Sequence, residues 1–220
     1  IGINATPSPI PGEPYDNYTV IWDNYVHHTG DVFSPVDKDT GGIKIAGKWL
    51  WAIDNKCHDN GNACVFTGGG NGDSVAPLNE HQYAFIARNN GYRNRESNFF
   101  VKQASHVVFS ENISGTSFDL RGPGEMHKGG AMGYQYGPRD VWFINNQISD
   151  SASGITVGSD GVEVTENAYF IGNVIYNLHK NAADPTPQGA INIGGGRNHY
   201  ILNNTIDDVD SGIYILPNGE

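Results

Sequence analysis

Between Val141 and Val157 the chain reads VWFINNQISDSASGITV. Val141 and Phe143 alternate with their neighbours, as the inward positions of a half-buried strand do. Asn146 breaks the alternation, Ile148 marks a short second strand, and Gly154-Ile155-Thr156-Val157 makes a third. Three short strands joined by turns describe one circuit of a solenoid, and this circuit recurs. Aligned on Asn24, Asn55, Asn90, Asn112, Asn146, Asn173 and Asn204, the copies carry Ile21, Ala52, Ala87, Phe109, Phe143, Phe170 and Ile201 three positions earlier. Two positions later stand Val26, Cys57, Tyr92, Ser114, Ile148, Ile175 and Ile206, of which only Ser114 departs from the apolar pattern. The spacings are 31, 35, 22, 34, 27 and 31 residues, within the range of about 20–50 that marks repeat architectures. The pattern predicts an all-β parallel solenoid of about seven rungs. Asn tolerates a left-handed turn, and stacked amides bond along the pile, so an Asn ladder is expected at this corner.

Residues 1–18 are rich in Pro, Asn and Gly and read as an extended leader; residues 19–220 form the solenoid domain. The last rung is followed by only a few residues, so the domain reads as incomplete or uncapped at its C-terminal end. The distance from each aligned Asn to its third strand is about 19, 9, 9, 19, 9, 17 and 9 residues. The first, fourth and sixth rungs therefore carry insertions at one common corner, and insertions gathered on one face of a repeat array build its binding face.

Composition narrows the function. The 29 Gly fit a chain of many turns, and no apolar run is long enough to span a bilayer. A net charge of −11 argues against nucleic acid as a partner. The segment from Arg88 to Arg139 nevertheless holds seven basic and four acidic residues, a basic belt in an acidic body suited to an anionic ligand. Cys57 and Cys64 in CHDNGNAC allow either a small disulfide loop, which favours an extracellular home, or two buried thiols. Asp37, Asp39 and Gly41 match the opening of a calcium loop, although Lys48 stands where its closing Glu belongs. Calcium at Asp37 and Asp39 is the one cofactor expected.

The repeated Φ-x-Φ-x-x-Asn-x-Φ unit and the Gly-Ile-x-Ile strands, as in YILNNTIDDVDSGIYI, resemble the right-handed parallel β-helices of the pectin-lyase-like superfamily over residues 19–216. The resemblance implies that fold and a polysaccharide groove along the strand after the variable corner. Transferred here, the outward residues of that strand are Lys44, Val65, Phe100, Lys102, Met132, Tyr134, Thr156, Asn192 and Tyr214. A lyase acting on a uronate sugar must neutralise a carboxylate, remove the proton beside it and protonate a leaving oxygen. The matching candidates are Arg121 on the carboxylate, Lys102 or His127 as base and Tyr134 as acid, with Arg93, Arg95, Glu125 and Lys128 binding substrate. The superfamily's closely spaced catalytic Asp set and its calcium-carboxylate cluster are not apparent. The reading is a secreted carbohydrate-active protein that binds an anionic polysaccharide or cleaves it by β-elimination. The alternative is a non-catalytic extracellular surface or filament protein. That alternative rests on a row of outward apolar residues (Val20, Trp51, Ile86, Val108, Trp142, Tyr169 and Tyr200) and on the open solenoid end, both suited to self-association.

Overall fold

The structure, a computed structural model, describes residues 2–5, 16–33, 41–69, 81–122, 125–158, 165–179 and 189–216. Among them there is no helix; the chain coils through three parallel sheets. No described helix is therefore long and apolar enough to cross a membrane.

Each coil visits the sheets in one order. Sheet B stacks Asp16–Trp22, Lys48–Ile53, Gln82–Ala87, Ser105–Ser110, Arg139–Ile144, Glu166–Ile171 and Tyr200–Leu202. Sheet C stacks Tyr25–His27, Lys56–His58, Asn90–Tyr92, Ile113–Ser114, Gln147–Ser149, Val174–Leu178 and Thr205–Val209. Sheet A stacks Ile3–Ala5, Ile43–Ile45, Val65–Gly68, Phe99–Lys102, Gly130–Gln135, Ser153–Val157, Ile191–Ile193 and Ile213–Ile215. The Pro-rich leader thus contributes a strand, Ile3–Ala5, paired with Ile43–Ile45. Inward side chains form continuous files. Phe109, Phe143 and Phe170 stack face to face at 5.1 and 5.6 Å in consecutive coils, each buried ring contributing about 1.5–3 kcal/mol.

The ladder between sheets B and C runs Asn24, Asn55, Asn89, Asn112, Asn146, Asn173 and Asn204. Each Oδ1 after the first accepts both the backbone N–H and the side-chain N–H of the Asn one coil earlier, as Asn146 does from Asn112 at 3.0 Å. In the third coil the ladder residue is Asn89, not Asn90. This shift turns Ile86 and Gly91 inward, and puts Phe85 in the outward apolar row between Trp51 and Val108. The left-handed residue at this corner is also not the ladder Asn but the one before it: Asp23, Asp54, Arg88, Glu111, Asn145, Gly172 and Asn203 all have positive φ.

A second corner, between sheets C and A, has its own left-handed file, which includes His28, Asp59, Arg93, Asp150, Asn177 and Asp208. Inside it runs a second polar stack in which Thr29 bonds Asn60, Asn60 bonds Asn94 and Asn94 bonds Asn98. The insertions of the first, fourth and sixth coils all leave at this corner. The fourth is a hairpin, Ser117–Gly122 with Glu125–Lys128, whose first strand pairs in parallel with Asn94–Arg95. The third left-handed file lies near the start of sheet B and runs Tyr18, Trp49, Tyr83, His106, Asp140, Asn167 and Asn198.

Candidate functional site

Two neighbouring surfaces carry chemistry: the outer face of sheet A, and the corner where sheet C turns into it.

On sheet A the register aligns Lys44, Phe66, Phe100, Gly133, Thr156, Asn192 and Tyr214 in one outward row. Lys44 Nζ lies 5.3 Å from the Phe66 ring centre. Lys102 Nζ stands 5.6, 5.7 and 5.6 Å from the rings of Phe66, Phe100 and Tyr136. These distances are within cation–π range. Gly133 leaves room for Phe100, because a Cβ there would lie 3.2 Å from that ring.

The register corrects three expected groove residues. Val65, Met132 and Tyr134 point inward, and Tyr134 is 1% exposed. Met132 pairs with Phe99 and Tyr134 with Val101, both core positions, so the two large side chains fill the interior and Gly133 faces out. Burial pushes the Tyr134 phenol well above its ordinary range, and it cannot serve as an acid at the surface. Arg95 is likewise buried, 4% exposed and beside Glu96, so it does not bind substrate from the surface. Arg93 is half exposed, but its guanidinium grips both oxygens of Asp59. Lys102 stands at the far end of its strand from the hairpin stem: it pairs with Gln135, whereas the hairpin feeds into Gly130. Arg121, Glu125, His127 and Lys128 all lie on that hairpin, with Asp119 opposite His127 and Gly122 opposite Glu125. Asp37 and Asp39 lie outside the described residues. Cys57 and Cys64 are joined by a disulfide.

Three of the belt's seven cations meet acids from adjoining coils. Arg88 binds Asp54 from Nε at 2.8 Å, Arg93 binds Asp59, and Arg139 lies 4.0 Å from Glu166.

The corner holds what the sequence reading passed over. His27, His58 and Tyr92 are cross-strand neighbours on sheet C, their rings stacked at 5.3 and 4.8 Å. His28, Asp59 and Arg93 follow them in the left-handed file. The His58 ring is bonded at both nitrogens: Nδ1 to Asp59 Oδ2 and Nε2 to the Tyr25 hydroxyl, each at 2.5 Å. His27 Nδ1 and His28 Nδ1 are 2.8 Å apart. Arg93 holds the Asp59 carboxyl below its usual range, against the opposing effect of burial. Lys56 Nζ sits 5.5 and 5.6 Å from the rings of Tyr25 and Tyr92. The signal was there: His27-His28, His58-Asp59 and Tyr92-Arg93 stand three and four positions after Asn24, Asn55 and Asn89. Anchoring the third coil on Asn90 hid the match. Chemically, the group can relay a proton through Tyr25, His58 and Asp59, or hold a cation.

No protein-family model matches the chain, and no curated protein matches it in sequence. Among solved structures it is similar to the A-module of the Azotobacter vinelandii mannuronan C-5 epimerase AlgE4, with a TM-score of 0.56 and 13% identity. The match covers 81% of this chain and 48% of that one, so the chain spans about half the length of its structural neighbour. The fold is a right-handed parallel β-helix. At this identity the likeness shows the fold alone, and the β-helix's sheet A and its loop-bearing corner must be read from their own residues.

Proposed function

We propose that this β-helix is an extracellular carbohydrate-active protein that binds an anionic polysaccharide along the outer face of sheet A. The observation that carries the reading is the pair Lys44 and Lys102 on this face: Lys44 lies over the buried Phe66 ring, and Lys102 lies beside Phe66 and the half-buried Phe100 and Tyr136 rings. Aromatic faces pack against the apolar side of a sugar ring, and the ammonium groups attract its carboxylates. The structural neighbour is named for its action on mannuronan, a polyuronate, which supports the same substrate class. The Cys57–Cys64 disulfide supports an oxidising compartment.

Inversion beside a carboxylate and β-elimination both begin by removing the adjacent proton. Because Lys102 and the hairpin stand at opposite ends of the sheet A strands, that step has two alternative seats: His127 as base with Arg121 on the carboxylate at the hairpin end, or Lys102 as base at the other. The acid role moves from Tyr134 to Tyr136, whose phenol ring lies against Lys102. The test is a panel of polyuronates and neutral glycans, read by binding and by ultraviolet absorbance of the unsaturated product. Polyuronates should bind, and Lys44→Ala with Lys102→Ala should weaken binding by about tenfold or more. Unchanged binding in that double variant overturns the reading.

The non-catalytic assembly reading keeps one specific support. Sheet B presents outward apolar rows, including Val20 at 62%, Trp22 at 64% and Leu202 at 51% exposure. Concentration-dependent sedimentation into ordered oligomers, without glycan binding, would favour it.

A further inference from the structure

The sheet A reading makes no use of the imidazoles and carboxylate at the C–A corner. We infer that His28, His58 and Asp59 form a binding site for a divalent transition-metal ion of zinc's class. Their donor atoms all lie within 4.8 Å of one another. A tetrahedral ion with bonds of about 2.0–2.2 Å holds its ligands roughly 3.4 Å apart, so rotation of the side chains closes the set.

The backbone is built to hold them. His28 and Asp59 occupy equivalent left-handed positions of consecutive coils, each at φ 54°. His58 stands on the sheet C strand just before the turn, paired with His27. Cys57 and Cys64 clamp the loop that carries His58 and Asp59.

The outer partners are also in place. A metal-ligating histidine bonds its other nitrogen to a neighbour, and that bond orients the ring. His58 Nε2 has the Tyr25 hydroxyl at 2.5 Å. An ion would take the place of the bond between His58 Nδ1 and Asp59 Oδ2, 2.5 Å apart, while Oδ2 keeps its second bond from Arg93. Metal entry takes the other neutral tautomer: the ring proton leaves Nδ1 for Nε2, which then donates to the Tyr25 hydroxyl oxygen. Arg93 Nε donates to Asp59 Oδ1 at 2.9 Å and orients the carboxylate. Two imidazoles and a carboxylate suit zinc, whereas calcium and magnesium prefer all-oxygen shells. Three protein ligands leave one position for water or an incoming oxygen.

A metal-free proton relay through Tyr25, His58 and Asp59 needs no His28, so His28 separates the two readings. Untagged protein, stripped with a chelator, is titrated with Zn²⁺ in competition with a chromophoric chelator, and Ca²⁺ and Mg²⁺ serve as competitors. The expected result is one zinc per chain, undisplaced by Ca²⁺ or Mg²⁺. Affinity should fall at least about tenfold in His28→Asn and in His58→Ala. His28→Asn suits the left-handed backbone and decides the matter alone if His58→Ala fails to fold by circular dichroism. No zinc uptake, or full affinity in His28→Asn, overturns the site. Metal alone is the probe, so the outcome is independent of any polysaccharide binding.

Discussion

Asn146 takes part in five ladder bonds: two from Asn112, two to Asn173 and one to the Phe109 carbonyl. Asn146→Ala leaves the buried amides of Asn112 without their acceptor, at about 1–3 kcal/mol for each orphaned group. The expected loss is about 2–4 kcal/mol by urea denaturation. Asn204→Ala, at the half-exposed end of the ladder, should cost about 1 kcal/mol. A second residue-scale expectation concerns protons. Burial lowers the pKa values of His81 and His199, and His81 Nδ1 accepts the Gly47 N–H at 3.0 Å, a bond that only an unprotonated nitrogen makes. Their contribution is complete above about pH 6.5 and is lost as pH falls through the depressed folded values. His179 runs the other way: Asp210 and then Asp208 raise its pKa, so its contribution is full below about pH 6.5 and lost as pH rises through the raised value. Denaturation midpoints should therefore fall between about pH 7.5 and pH 5. His81→Gln should flatten that slope, and His179→Gln should steepen it. At this scale the sequence was legible except where two readings compete. Asn89 and Asn90 both offer an amide, and only the bonds to Asn55 and Asn112 decide between them.

Among the elements, the Gly of each Gly-Ile-x-Ile strand marks how closely coils approach at the entry to sheet A. A Cβ on Gly154 would fall 2.1 Å from the Ala190 carbonyl oxygen, whereas one on Gly212 meets nothing within 4 Å. Gly154→Ala should destabilise by about 1–3 kcal/mol or more, and Gly212→Ala should be tolerated; melting temperatures separate the two. Strand order and the loop-bearing corner could be read from the spacing of apolar residues, because that spacing is set by the coil itself. The faces of the sheet A strands were harder. In Ala131-Met132-Gly133-Tyr134 either alternation satisfies a period of two. The interior takes Met132 and Tyr134, and the aromatic pack over Phe100 takes the glycine.

Across the whole molecule, neighbours in space are one coil apart in sequence, about 23–34 residues along the ladder. A charge count over a contiguous stretch therefore misreads the field, and Arg88 and Arg93 meet Asp54 and Asp59 from the preceding coil. The same offset concealed the histidine corner, whose members are scattered in sequence and adjacent only when the coils are stacked in register. With the arginines Arg88, Arg93, Arg95 and Arg139 each beside an acid, polyanion attraction on sheet A should rest on a few ammonium groups. Raising salt from about 50 to 200 mM should weaken polyuronate binding only modestly, as far as short-range contacts over aromatic rings resist screening.

All four tryptophans lie on strands of sheet B: Trp22, Trp49, Trp51 and Trp142. None is among the fully buried side chains, and Trp142 stacks on Tyr169 at 5.2 Å. Intrinsic fluorescence is thus an optical reporter for one side of the prism. A glycan settling on sheet A should leave the emission spectrum almost untouched, while any molecule that lands on sheet B should quench or shift it.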